Sequence, residues 1–157
     1  METLGYCVMP NHFHLILKAS VDDGISWFMK WLTGTHAIRY RTFHGNLGNG
    51  HVYHGRFRAV VITDDRQFLT ALRYVEANAC KAGLVRWADD WEWCSIFERK
   101  HPEALRIVGS LPVQLPPNWW KVVHRDSLPA TATQGGNELP DWVEIATAKD
   151  RNFWKGV

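Results

Sequence analysis

Tyr6-Cys7-Val8-Met9-Pro10-Asn11-His12-Phe13-His14-Leu15-Ile16-Leu17 decides how the rest of the chain is read. Gly5 to Val8 is short, apolar and extended in character. Pro10-Asn11 signals a turn, because Pro presets its φ and Asn tolerates turn geometry. From His12 onward the pattern alternates. His12, His14 and Ile16 share one face; Phe13, Leu15 and Leu17 share the other. The stretch predicts two antiparallel strands joined by a tight turn, with the apolar face on a core.

Two imidazoles two residues apart on a strand point to the same side. They form a two-ligand platform for a divalent metal, since neutral imidazole is a good donor. A bare His-x-His is more often a pair of polar residues on a half-exposed strand, so the metal reading rests on a third donor. Tyr74 and Asn78 supply the partners. They lie four apart on a predicted helix and so neighbour each other on its surface. An isolated helical tyrosine is ordinarily a packing residue. Here the Asn78 amide oxygen is a candidate third ligand, which would put the Tyr74 hydroxyl beside the metal. A tyrosinate so placed is a candidate nucleophile on phosphorus, and the metal would polarise and orient the scissile phosphate.

The 157 residues suffice for one domain, or one domain plus a tail. With 46% hydrophobic and 22% charged residues the composition is that of a soluble globular chain. No apolar run approaches the roughly 20 residues of a membrane span, and Met1-Glu2-Thr3-Leu4 lacks a secretory pattern. Cys7, Cys80 and Cys94 are too few and too scattered for a disulfide framework, so a cytoplasmic location is expected. The net charge of +2 conceals an uneven distribution. Residues 30–86 hold nine Lys or Arg against three Asp or Glu, whereas residues 87–157 hold eight against ten. A basic middle suits a polyanionic partner, although a solvated face would read the same way. Arg56, Arg58, Arg66, Arg73 and Lys81 are the candidate phosphate contacts.

Other elements follow from local signals. Asp22-Asp23-Gly24 opens a helix whose buried stripe is Ile25, Phe28, Met29 and Leu32. Gly45 to Gly50 is a loop, and His51 to Ile62 reads as a strand rich in β-branched residues. Asp64 with Gln67 three residues on begins a second helix, which Gly83 ends, with Phe68, Leu72, Val75 and Ala79 as its buried stripe. His36, His44, His51 and His54 lack ligand spacing and read as surface or DNA-contacting residues. Trp87, Trp91 and Trp93 read first as packing residues and second as a base-stacking set. Thr131 to Asn137 reads as a linker, and Asp141 to Lys155 as one short helix.

These residues resemble a known family. The Tyr6–Leu17 block is similar to the signature strand pair of HUH-type single-tyrosine transposases, above all the REP-associated tyrosine transposases of the IS200-like group. Gly55-Arg56-Phe57-Arg58 resembles the block before the family's catalytic helix. The stretch from Arg73 to Val85 and Trp91-Glu92-Trp93-Cys94-Ser95 resemble two further blocks in the same order. The resemblance implies an α+β, ferredoxin-like sandwich with an antiparallel sheet over residues 1–97, and an irregular, partly helical extension over 98–157. It implies Mg²⁺ or Mn²⁺ on His12, His14 and Asn78, with Tyr74 as nucleophile. The implied reaction is cleavage and strand transfer of single-stranded DNA at hairpin-forming repeats through a 5′-phosphotyrosine link, by a monomer or homodimer. The alternative is a non-cleaving DNA-binding remnant or a domesticated copy. Two departures stand out. The family has a β-α unit ahead of the Tyr6 block, with which this chain nearly begins, so a sheet short of one strand is expected. Ala79 also stands where the family commonly has Pro.

Overall fold

A computed structural model describes residues 1–46, 48, 50–125 and, for the backbone, 145–148. Strand β1 (Glu2–Val8) and strand β2 (His12–Lys18) form the expected antiparallel hairpin, with Cys7 opposite His14 and Tyr6 opposite Leu15. The turn is closed by Met9 N–H donating to the His12 carbonyl at 2.8 Å, which leaves Pro10, without a donor of its own, at the tip. Helix α1 (Gly24–Phe43), strand β3 (Tyr53–His54), helix α2 (Asp65–Lys81), a 3₁₀ turn (Ala88–Asp90), helix α3 (Ser95–Lys100), helix α4 (Trp119–Arg125) and strand β4 (Ile145–Ala148) follow. The sheet order is β1-β2-β4-β3, and all three pairings are antiparallel. The fold is α+β, and no helix among the described residues is long and apolar enough to cross a membrane.

Helix α2 organises the core. Asp64 caps it by accepting from Gln67 N–H at 2.9 Å, while Gln67 Oε1 accepts from Thr63 N–H at 3.0 Å. At its other end Gly83 has φ 69, and Leu84 N–H reaches back to the Ala79 carbonyl at 2.9 Å. That six-to-one bond is a Schellman stop, which needs a left-handed residue. The predicted stripe of Phe68, Leu72, Val75 and Ala79 is buried as expected. It meets β1 so closely that a Cβ on Gly5 would lie 2.5 Å from Leu72 Cδ1. Residues after 97 join the same core: Trp119 and Val123 of α4 are buried in it, and Gly109 N–H bonds the Thr3 carbonyl at 2.8 Å.

Four expectations are corrected. The β2 face carrying His14 and Ile16 is the buried one, because α2 packs there; Phe13, Leu15 and Leu17 are only half-buried. The strand predicted over His51–Ile62 reduces to Tyr53–His54. Gly55, at φ 71, turns the chain away from β4, and Val61 beyond it is 80% exposed with no ladder to join. Within the stretch read as a C-terminal helix, residues 145–148 form β4, since β2 and β3 each offer an edge for pairing. Of the stripe expected on α1 only Met29 is fully buried. The linker read over Thr131–Asn137 lies outside the described residues.

Candidate active site

The hairpin and α2 together place the residues that the sequence singled out. The rings of His12 and His14 stand edge to face with centroids 4.9 Å apart. The Tyr74 ring meets His14 edge-on at 5.7 Å, so the helix lays the tyrosine against the histidine pair. His14 is only 2% exposed, whereas His12 and Tyr74 are half-buried; the cluster therefore opens to solvent on the His12 side. Among the described residues no three His, Cys, Asp or Glu side chains gather where a metal could sit, so a metal centre here requires a neutral third donor.

Asn78, one turn after Tyr74 on α2, is the candidate that the sequence singled out. Its Nδ2 donates to the Tyr74 carbonyl at 2.7 Å. A carbonyl only accepts, so this bond defines the orientation of the amide and turns Oδ1 to its other side. The donor set suits a hard-to-borderline divalent cation: the amide oxygen favours Mg²⁺ or Mn²⁺, and the imidazoles favour Mn²⁺ over Mg²⁺. Asn11, read from the sequence only as a turn residue, contributes directly. Its Oδ1 lies 2.7 Å from His12 Nδ1. The oxygen accepts, Nδ1 carries the proton, and Nε2 is left with the lone pair a metal needs. The signal was present in the sequence, as an amide immediately before the first histidine.

The basic residues divide. Lys81, two turns after Tyr74 on α2, holds its ammonium 4.7 Å from the Tyr74 ring centroid and is part of the site. Arg58, Arg66 and Arg73 instead line a separate groove of about 1330 Å³ with Leu15, Leu17 and Phe68, which none of His12, His14, Tyr74 and Asn78 lines. Arg56 is exposed beyond β3. His36 and Tyr53 form a separate pair, with the Tyr53 hydroxyl and His36 Nδ1 in hydrogen-bond contact at 2.6 Å. Burial lowers the His36 pKa and pushes Tyr53 up to about 12.

Glu76, between Tyr74 and Asn78 in sequence, points to the opposite side of α2. It is fully buried, accepts from Ser95 Oγ and Trp119 Nε1 at 2.7 Å each, and pairs with Arg99 at 2.5 Å. Burial pushes its carboxyl up, against the pull of Arg99, Ser95 and Trp119. Arg99 also donates to the Leu4 carbonyl at 3.2 Å, and Ser95 Oγ accepts from Tyr6 N–H at 3.1 Å. One buried carboxylate thus ties α2 to β1, α3 and α4. The sequence offered no sign of it, because a glutamate on a helix ordinarily faces water.

Residues 1–78 match the family described as transposase, IS200 like. That stretch is thus similar to the IS200-like transposases. The chain is also similar to a Haemophilus influenzae protein named as a REP-associated tyrosine transposase, at 26% identity over 60% of this chain and 58% of that one. The chain thus spans 58% of the length of the relative it matches. No solved structure matches it significantly. The family match takes in the hairpin, α1, β3 and most of α2, and therefore His12, His14, Tyr74 and Asn78.

Proposed function

We propose that this IS200-like chain acts as a transposase that cleaves and rejoins single-stranded DNA, with Tyr74 as the nucleophile. The observation that carries the reading is the edge-on meeting of Tyr74 with His14 at 5.7 Å, beside His12. The tyrosine of α2 and the two imidazoles of β2 are thereby brought together from separate elements. Tyr74 Oη attacks the scissile phosphorus, a P–Oη bond forms and the P–O3′ bond breaks. The phenolic proton is lost and the departing 3′-oxygen is protonated, giving a 5′-phosphotyrosine and a free 3′-hydroxyl; strand transfer runs the same exchange backward. Lys81 offsets negative charge as it builds on the phosphate. His12, His14 and Asn78 would hold Mg²⁺ or Mn²⁺, which when bound supplies Lewis-acid polarisation of the phosphate oxygen. Arg58, Arg66 and Arg73 hold flanking phosphates along their groove, and hairpin-forming repeats are the substrate.

The test uses labelled hairpin DNA with Mn²⁺ or Mg²⁺ and denaturing gels. A covalent protein–DNA adduct is expected from the wild type, absent from Tyr74→Phe and absent in excess EDTA. An adduct that persists in Tyr74→Phe sinks the nucleophile assignment. Hairpin binding with no adduct in metal-replete buffer favours instead a non-cleaving DNA-binding protein.

A further inference from the structure

From Tyr74 onward, three aromatic rings among the described residues each carry a cation. Lys81 lies over Tyr74, Arg86 Cζ lies 5.2 Å from the Trp87 ring centroid, and Lys121 Nζ lies 5.1 Å from that of Trp120. The last two belong to one construction. The buried His124 imidazole sits between the two indoles, with centroids 5.1 Å from Trp87 and 5.7 Å from Trp120. His124 Nε2 is held 2.9 Å from Asp89 Oδ1, and Asp89 is also held by Lys100. The indoles are nonetheless 40% and 50% exposed. Helix α4 explains the asymmetry: Trp119 and Val123 anchor it in the core, which leaves Trp120, Lys121 and Arg125 on its outer side.

We propose that Trp87 and Trp120, with Arg86 and Lys121, form a second DNA-binding surface that stacks unpaired bases of the strand leading away from Tyr74. Single-stranded nucleic acid is the ligand that requires both features at once, aromatic faces for bases and cations for the phosphates between them. A purely apolar partner would gain nothing from Arg86 and Lys121. An acidic peptide would gain little from two exposed indoles. Asp89, whose carboxylate contacts His124, is turned inward to Lys100 and His124, while the neighbouring Asp90 is exposed. The location also fits. Tyr74 and Lys81 are separated by roughly 10 Å of helix rise. Gly83 then reverses the chain into Arg86 and Trp87, so the surface begins just past the end of the helix that bears the nucleophile.

The inference rests on the nuclease reading for its choice of strand, but its test does not need cleavage. Binding of a short oligothymidylate is followed by tryptophan fluorescence and anisotropy, in EDTA, on the full chain carrying Tyr74→Phe. Binding with indole quenching is expected, and Trp87→Ala/Trp120→Ala is expected to weaken it about tenfold or more with an unchanged unfolding midpoint. Arg86→Gln/Lys121→Gln, which leaves the indoles in place, is expected to lower the slope of log affinity against log salt by about 1.4. Unchanged oligothymidylate affinity in the double tryptophan variant overturns the proposal. So does equal loss of affinity for a fully paired duplex, which has no bases free to stack. If no adduct forms on hairpins but the tryptophan-dependent binding is found, the nuclease reading fails and the surface stands. Adduct formation without tryptophan-dependent binding gives the reverse.

Discussion

In the proposed metal site, His12 depends on the residue beside it. Asn11 Oδ1 at Nδ1 leaves Nε2 as the lone-pair nitrogen and holds the ring at the open edge of the cluster. Asn11→Ala is therefore expected to weaken Mn²⁺ binding about tenfold to a hundredfold, read from free Mn²⁺ by electron paramagnetic resonance, with the unfolding midpoint unchanged. An unaltered affinity would mean that the hydrogen bond does not orient the ligand. Gly5 acts at the same scale through space. A Cβ there meets Leu72 Cδ1 at 2.5 Å inside a core where Leu72 is fully buried. Gly5→Ala is expected to cost about 1–3 kcal/mol in urea unfolding, since the leucine has no room to withdraw.

Helix α2 is specified at both ends, by Asp64 with Gln67 and by Gly83. Asp64→Ala is expected to lower stability by about 1 kcal/mol in the same assay, the usual value of such a cap. Helix α1 has no comparable support: Met29 is its one fully buried residue, and Trp27, Trp31, Ile38 and Phe43 are exposed. Its link to β3 is the His36–Tyr53 bond. The folded His36 pKa lies below the unfolded value of 6.5, so the unfolded chain takes up the proton first. The stability this contact contributes is complete above pH 6.5 and is lost as pH falls toward the folded pKa. Amide exchange along α1 is expected to accelerate through that window, and His36→Gln is expected to flatten the pH dependence.

Across the molecule, Glu76 determines how the parts are assembled. Its carboxylate joins α2 to α3 through Ser95 and Arg99 and to α4 through Trp119, and Ser95 and Arg99 in turn hold β1. Such a group is costly to bury and costlier to orphan. Glu76→Ala leaves Arg99 and Trp119 without their acceptor and is expected to cost about 3–5 kcal/mol, measured as the shift in urea midpoint. A loss below 1 kcal/mol would show that the elements are held by apolar packing alone. Because Tyr74 and Asn78 lie on the other side of the same helical turns, the adduct yield per folded molecule is expected to fall as well.

Local spacing alone determined the hairpin, the helix that carries Tyr74 and Asn78, and the caps of that helix. Each depends on residues within about four positions of one another, where backbone geometry is nearly independent of the remainder of the chain. The pairing of His12 and His14 with Tyr74 came instead from the resemblance of the ordered blocks to a known family. Tertiary structure decided which face of β2 is buried, because alternation says that two faces differ but not which one a helix will cover. It decided that Val60 and Val61 form no strand, because β propensity needs a neighbouring strand and Gly55 turns them away from it. It also placed Lys81 at the tyrosine and Arg58, Arg66 and Arg73 in another groove, although in the sequence they form one basic stretch. Glu76 and the Trp87–Trp120 surface emerge only at this level, since their partners lie up to 43 residues away and come together through packing, which no local pattern encodes.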